Sequence, residues 1–226
     1  MIKSLKLSTL SSFLAAGLAL LAVGAWLAPS RGAAQAAQTG SSVLEPKLLA
    51  TMLRAGGNVM LVRHGATFSN QADLDPFNLA DATKQRNLND KGKELAKAFG
   101  AALRSASVPV GEVYTSEFNR GYETAVLAGF KDIEKTRDLS EGGLVVTPDE
   151  NNRRAKALRD LLTKIPDKGA NDILITHKPN IVDALGKDWF DVKEGEAGIF
   201  KPESGSYRLV ARVQMEDWPK IAAAAK

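Results

Sequence analysis

The feature that most restricts this 226-residue chain is a short apolar run that stops on a cation, an imidazole and a glycine: Val59-Met60-Leu61-Val62, then Arg63-His64-Gly65. Consecutive apolar residues ending so abruptly read as a strand buried on both faces, and such a strand belongs in a sheet covered by helices on either side. The chain holds only two histidines, and the second, His177, closes a similar run, Ile173-Leu174-Ile175-Thr176. Two buried strands thus carry their histidines to the same edge of one sheet. An edge that sets Arg63 beside His64 is built to meet an anion.

Around these strands the chain supplies helices. Pro46 suits the first turn of a helix with Leu48, Leu49, Met52 and Leu53 as its apolar stripe and Gly56-Gly57 as its end. Asn89 is a good N-cap for a helix with Leu95, Phe99 and Leu103 on one face, and Ser116 can cap another that begins near Phe118 and sets Arg120 in its first turn. Val113-Tyr114-Thr115 reads as a short strand. A further helix carries Ala157, Leu158, Leu161 and Leu162, and Asn180–Leu185 is a short one stopped by Gly186. Ala197–Lys201 and Tyr207–Val213 read as strands, and a terminal helix starts at Trp218. Strands alternating with helices predict an α/β fold, a three-layer α/β/α sandwich with a mostly parallel central sheet. Ala66–Asn87 has no clear period and reads as a long functional loop. Lys131–Glu150, with Gly142-Gly143 and Pro148, reads as loop too.

The amino-terminal segment has Lys3 and Lys6, an apolar run from about Leu10 to Leu27, and Ala34-Gln35-Ala36 in a small-residue stretch. These are the parts of a secretory signal cleaved after Ala36, although the run approaches the ~20 residues that span a bilayer and an uncleaved anchor is the alternative. The expected organisation is a signal peptide or anchor over 1–36, a linker and leading helix over 37–57, and one catalytic domain over 58–226. Either reading of the first segment places the remainder outside the cytoplasm, periplasmic or secreted, with membrane contact only through that segment if it is retained. The formal charge of +4 includes Lys3, Lys6 and Arg31; without them 27 basic residues face 26 acidic ones, which gives no reason to expect a nucleic-acid partner. The absence of cysteine excludes disulfides, thiolate metal sites and cysteine nucleophiles. Asp73, Asp75 and Asp81 do not have EF-hand spacing, so no metal is expected.

A neutral imidazole can attack phosphorus without first shedding a proton, and the charge spread over the equatorial oxygens in phosphoryl transfer asks for fixed cationic donors around it. Arg63, Arg120 and His177 can supply them, and an arginine fork matches a phosphate better than a lysine does. Five stretches carry a resemblance. Leu61-Val62-Arg63-His64-Gly65 resembles the defining motif of the histidine phosphatase superfamily, the group containing phosphoglycerate mutases, acid phosphatases and phytases. Arg86-Asn87-Leu88-Asn89-Asp90-Lys91-Gly92 resembles the segment opening the next helix of that family, and Ser116 through Ala125 is similar to its Ser-x-x-x-Arg-x-x-x-Thr-Ala motif. His177 stands where its second histidine belongs, and Gly195–Phe200 resembles a later strand, with Glu196 bracing rather than reacting.

The resemblance implies a phosphoglycerate mutase-like fold and a metal-independent phosphoric monoester hydrolase that needs no cofactor, which the leader pattern makes an exported one. His64 would become phosphorylated while Arg63, Arg120 and His177 hold the phosphoryl group. Arg86 is implied to touch substrate, and Thr67 and Asn70 at the start of the long loop join it as substrate-binding candidates. Acid phosphatases and phytases follow the second histidine with an aspartate, whereas here Lys178-Pro179-Asn180 follows. Mutase-type members carry an acid after the second arginine motif, and Glu141 is the nearest positional equivalent; Asp138, Asp73 and Asp75 are the alternatives. The expected partner is a small phosphorylated substrate. Because some exported members act on lipopolysaccharide core phosphate, an envelope sugar phosphate is one that the resemblance suggests. A phosphomutase and a non-catalytic phosphate-ligand binding protein are the rival readings.

Overall fold

The computed structural model of the protein describes residues 44–142 and 146–226. The expected signal segment and most of the linker lie outside these residues. Along the chain run α1 (Pro46–Ala55), β1 (Val59–Arg63), α2 (Asp90–Ser105), β2 (Val110–Ser116), α3 (Asn119–Ala128), β3 (Ile133–Thr136), α4 (Pro148–Thr163), β4 (Asn171–Thr176), α5 (Lys178–Leu185), β5 (Ala197–Glu203), β6 (Ser206–Val213) and α6 (Trp218–Ala224). Among the described residues no helix is long and apolar enough to cross a membrane.

The six strands form one sheet in the order β3-β2-β4-β1-β5-β6. The first four are mutually parallel, and β5 and β6 close the sheet as an antiparallel pair against β1. The apolar runs of β1 and β4 are buried on both sides, as a strand between two helical layers must be. Met60, Val62, Ile173 and Ile175 face the layer of α1, α2, α3 and α6, packing with Leu53, Phe99, Leu103 and Trp218. Val59, Leu61 and Leu174 face the opposite layer, where α4 and α5 contribute Leu158, Leu162 and Ile181. Each fully buried side chain of this size contributes roughly 1.5–3 kcal/mol of transfer free energy.

Register decides what this core presents. β1 and β4 pair in parallel with Arg63 opposite Thr176, so His64 and His177 leave the sheet side by side at its carboxyl edge. The His64 backbone N–H donates to the Thr176 carbonyl at 3.0 Å, continuing the ladder one step beyond the strands. Gly92 fixes the next element: a Cβ there would overlap the Ala66 carbonyl, so only glycine lets α2 start against the loop that follows His64. Asn89 completes that join, its side-chain oxygen accepting from the Gly92 N–H at 2.8 Å and its amide donating to the Thr67 carbonyl at 3.0 Å.

The structure departs from the sequence reading at three places. The 131–150 stretch contains the edge strand β3 and, from Pro148, the first turn of α4. β3 carries two charges in four residues, as short edge strands often do, and so lacks an apolar signal. Pro148 marks a start rather than a break, because proline is well accepted at the first helical position and the Thr147 hydroxyl caps the helix through the Glu150 N–H. Leu48, placed on the apolar stripe of α1, is 58% exposed, and the buried face is Leu49, Ala50 and Leu53.

Candidate phosphoryl-transfer site

His64 is buried at the end of β1, and its Nδ1 lies 2.8 Å from the Gly65 carbonyl. A carbonyl can only accept, so Nδ1 carries the proton and the lone pair is left on Nε2. Burial, reinforced by the charge of Arg120 and then by Arg63 and Arg86, holds the imidazole well below its ordinary pKa against the opposing pull of the Gly65 carbonyl. The ring is therefore neutral near neutral pH. Its surroundings are tied to α3: the Gly65 N–H donates to Thr124 Oγ1 at 3.1 Å, and that hydroxyl donates to the Arg120 carbonyl at 2.7 Å.

His177 follows β4, with its ring centroid 5.0 Å from that of His64. Its Nε2 is 2.7 Å from Ser116 Oγ, and its Nδ1 is 3.4 Å from Glu141 Oε2 without hydrogen-bond geometry. A carboxylate facing Nδ1 favours the proton on that nitrogen, with the Ser116 hydroxyl donating to Nε2. Burial comes first in depressing this imidazole too, followed by Arg120, His64, Arg86 and Arg63. Ser116 also accepts the Phe118 N–H at 3.0 Å, so one hydroxyl both orients His177 and shapes the entry to α3.

Three arginines surround the histidines. Arg120 has a fully buried side chain and spreads its fork between Asp73 Oδ1 at 2.9 Å and Glu141 Oε1 at 2.8 Å, with the Phe118 ring 4.4 Å away. Arg63 donates through Nη1 to the Val192 carbonyl at 2.8 Å and stands 3.6 Å from Glu194. Its burial lowers its pKa, opposed chiefly by the Glu194 charge. Arg86 comes from the end of the long loop, where its backbone N–H donates to Asp73 at 2.9 Å. The Nε atoms of Arg63, Arg86 and Arg120, and His177 Nδ1, are all buried without a hydrogen-bond partner. Orphaned buried donors are costly, and four of them around one neutral imidazole are what an oxyanion would satisfy.

His64, Arg63, Arg120, His177, Glu141 and Arg86 thus come together. Thr67 is held at the rim, its hydroxyl donating to Glu194 at 2.9 Å, whereas Asn70 is exposed on the loop. Asp73 sits on Arg120, while Asp138 pairs with Arg153 on the surface and Asp75 with Lys84. Sequence reasoning missed Glu194, and it took Ser116 as a cap and the first residue of the Arg120 motif without a role at His177. No local pattern marks Glu194, but it directly precedes the Gly195-Glu196 segment that the strand resemblance singled out. Glu196 does brace the site: it is buried, its side chain engages Arg212, Gln214 and the Lys193 N–H, and its carbonyl accepts the Arg63 N–H at 3.0 Å. Among the described residues no cluster of histidine, aspartate or glutamate is arranged to hold a metal.

Residues 59–158 match the histidine phosphatase superfamily (branch 1), a span that contains β1, Arg86, Arg120 and Glu141. No curated protein sequence matches the chain. Among solved structures, the protein histidine phosphatase SixA complexed with tungstate is 18% identical with a TM-score of 0.50, over 71% of this chain and 98% of that one. A candidate alpha-ribazole-5'-P phosphatase from Escherichia coli K-12 is 16% identical with a TM-score of 0.51, again over 71% and 98%. A mutant phosphoserine phosphatase from Entamoeba histolytica is 15% identical with a TM-score of 0.49, over 70% and 98%. Residues 59–158 are thus similar to the histidine phosphatase superfamily in sequence, and the described chain is similar in fold to these two phosphatase structures with TM-scores of 0.50 and 0.51.

Proposed function

We propose that the protein is an exported phosphatase that hydrolyses phosphate monoesters through a phosphohistidine on His64. The observation that carries this reading is the set of four unpartnered buried donors, on Arg63, Arg86, Arg120 and His177, around a neutral His64 whose free lone pair is on Nε2. In the first step Nε2 attacks phosphorus, the ester P–O bond breaks, and Glu141 as a carboxylic acid protonates the departing oxygen. In the second, the Glu141 carboxylate takes a proton from water as that water attacks the phosphohistidine, which releases phosphate and restores both residues. The phosphoryl oxygens draw on Arg120, which in the structure holds Asp73 and Glu141, so substrate frees Glu141 to face the leaving group. With three guanidinium groups supplying the charge, no metal is required.

Rapid quench with a labelled phosphate ester tests the reading: an acid-labile, base-stable phosphoenzyme should form together with free phosphate. His64→Ala should abolish the adduct and slow release by several orders of magnitude. Equal phosphate release from wild type and His64→Ala would overturn it, and labelled ligand that binds without release would favour a binding protein. EDTA should leave the rate unchanged. Export is supported by the basic, apolar and Ala-x-Ala pattern of residues 1–36, and amino-terminal sequencing of the protein from the cell envelope should begin at Ala37.

A further inference from the structure

A cavity of about 490 Å³ lies against the candidate site, and Glu141 and Phe118 belong to both. We propose that this cavity is the leaving-group site and that it takes an aromatic or similarly flat apolar group bearing a second negative charge. The inference rests on the phosphatase reading for its name, but the binding preference stands or falls separately.

Direction comes from the acid. A group that protonates the departing oxygen must lie on the side where that oxygen departs. Glu141 has one oxygen on Arg120 and the other towards His177, and it also forms part of the cavity wall. The leaving group therefore passes into the space that Glu141 borders. At about 490 Å³ that space falls within the roughly 300–1,000 Å³ of small-molecule sites.

The lining sets the chemistry. From the long loop come Pro76 and Phe77, and Phe77 is 83% exposed, so its ring face is open to a ligand in the cavity. Phe118 lies opposite the solvent, edge-on to His177 at 5.2 Å. These surfaces offer a flat apolar body stacking and burial. Lys135 and Arg137 add positive charge. Lys135 Nζ sits 3.8 Å over the Tyr122 ring and has no carboxylate within ion-pair distance among the described residues; Arg137 has only Glu117, at 3.6 Å and largely in solvent. Both side chains are exposed and retain donors for an anion. Rings on one side and exposed cations on the other favour an aryl leaving group that bears a negative charge.

Calorimetry with the full chain carrying His64→Ala, which cannot turn substrate over, separates recognition from chemistry. The probes are phenyl phosphate, para-carboxyphenyl phosphate and β-glycerophosphate. The carboxyphenyl ester should bind roughly tenfold more tightly than the phenyl ester, the worth of one charge-assisted contact, and β-glycerophosphate most weakly. Adding Lys135→Gln and Arg137→Gln should bring the two aryl esters to equal affinity. Adding Phe77→Ala should weaken both several-fold and leave β-glycerophosphate unchanged. All three side chains are at the surface, so folding is not at stake. Equal binding of the aryl esters before substitution, a preference that survives the double glutamine change, or tight binding of β-glycerophosphate would each overturn the proposal. Failure of the wild type to release phosphate would instead count against the phosphatase reading, whatever the binding shows.

Discussion

His64 and His177 are chemically alike and set apart by one hydrogen bond each. The Gly65 carbonyl puts the His64 proton on Nδ1 and leaves the lone pair on Nε2, whereas Ser116 at Nε2 and Glu141 at Nδ1 favour the His177 proton on Nδ1. Ser116→Ala should thus release the His177 tautomer while leaving every charge in place. A ten- to hundred-fold fall in kcat with little change in KM is expected, about the cost of one lost buried hydrogen bond, and Ser116→Thr should restore much of it. Nitrogen NMR should show the Nδ1–H signal of His177 lost in the alanine variant and kept in the threonine one. An unaltered tautomer in Ser116→Ala would sink this account.

At the scale of elements, the site is a join between strand ends and helix starts. α2 reaches the His64 loop only because Gly92 lacks a side chain, and the caps on Asn89 then hold Ala66 and Thr67 in place. Gly92→Ala should cost about 1–3 kcal/mol, the usual penalty of overpacking, read as a lower urea midpoint at unchanged m-value. Activity should fall further than stability does, because the displaced backbone at Ala66 is two residues from His64. A fully active and fully stable Gly92→Ala protein would show that the join is softer than its geometry. The loop from Ala66 to Asn87 is held in the same way, with Asp73 bridging the Arg86 N–H and Arg120, so its placement is coupled to the site.

For the molecule as a whole, two neutral histidines buried beneath three guanidinium groups make acid a destabilising condition. Both folded-state pKa values lie well below the ordinary imidazole value, so on acidification through about 6.5 the unfolded chain takes up protons that the folded chain refuses. Stability is therefore present above that pH and is lost below it, by about 1.4 kcal/mol per pH unit for each histidine. Urea titrations between pH 7 and 5 should show this slope, and His64→Asn should remove about half of it. Carboxylate pairs act in a lower window: Glu150, held down to about 2 by Arg153 and Arg154, loses its contribution only as pH falls from its ordinary range. An identical slope in His64→Asn would mean that the imidazole is charged in the folded state.

Much of this was legible in the sequence because it is local. Apolar runs, a capping Asn89, Pro46 at a helix start and the motif around Arg120 each depend on a few neighbouring residues, and together they determined the layered sheet and the meeting of Arg63, His64, Arg120 and His177. β3 was hidden because an edge strand of Ile133, Glu134, Lys135 and Thr136 has too little apolar surface to signal itself. The contacts of Glu141, Asp73, Glu194 and Ser116 were hidden for a different reason: they come from separate elements and are set by the register of β1 on β4 and by the course of two loops. Sequence alone thus determined the buried strands and the groups they deliver, because periodicity and capping are short-range. Only the tertiary structure decided which carboxylates face those groups and which cavity opens beside them, because both depend on the packing of residues far apart in the chain.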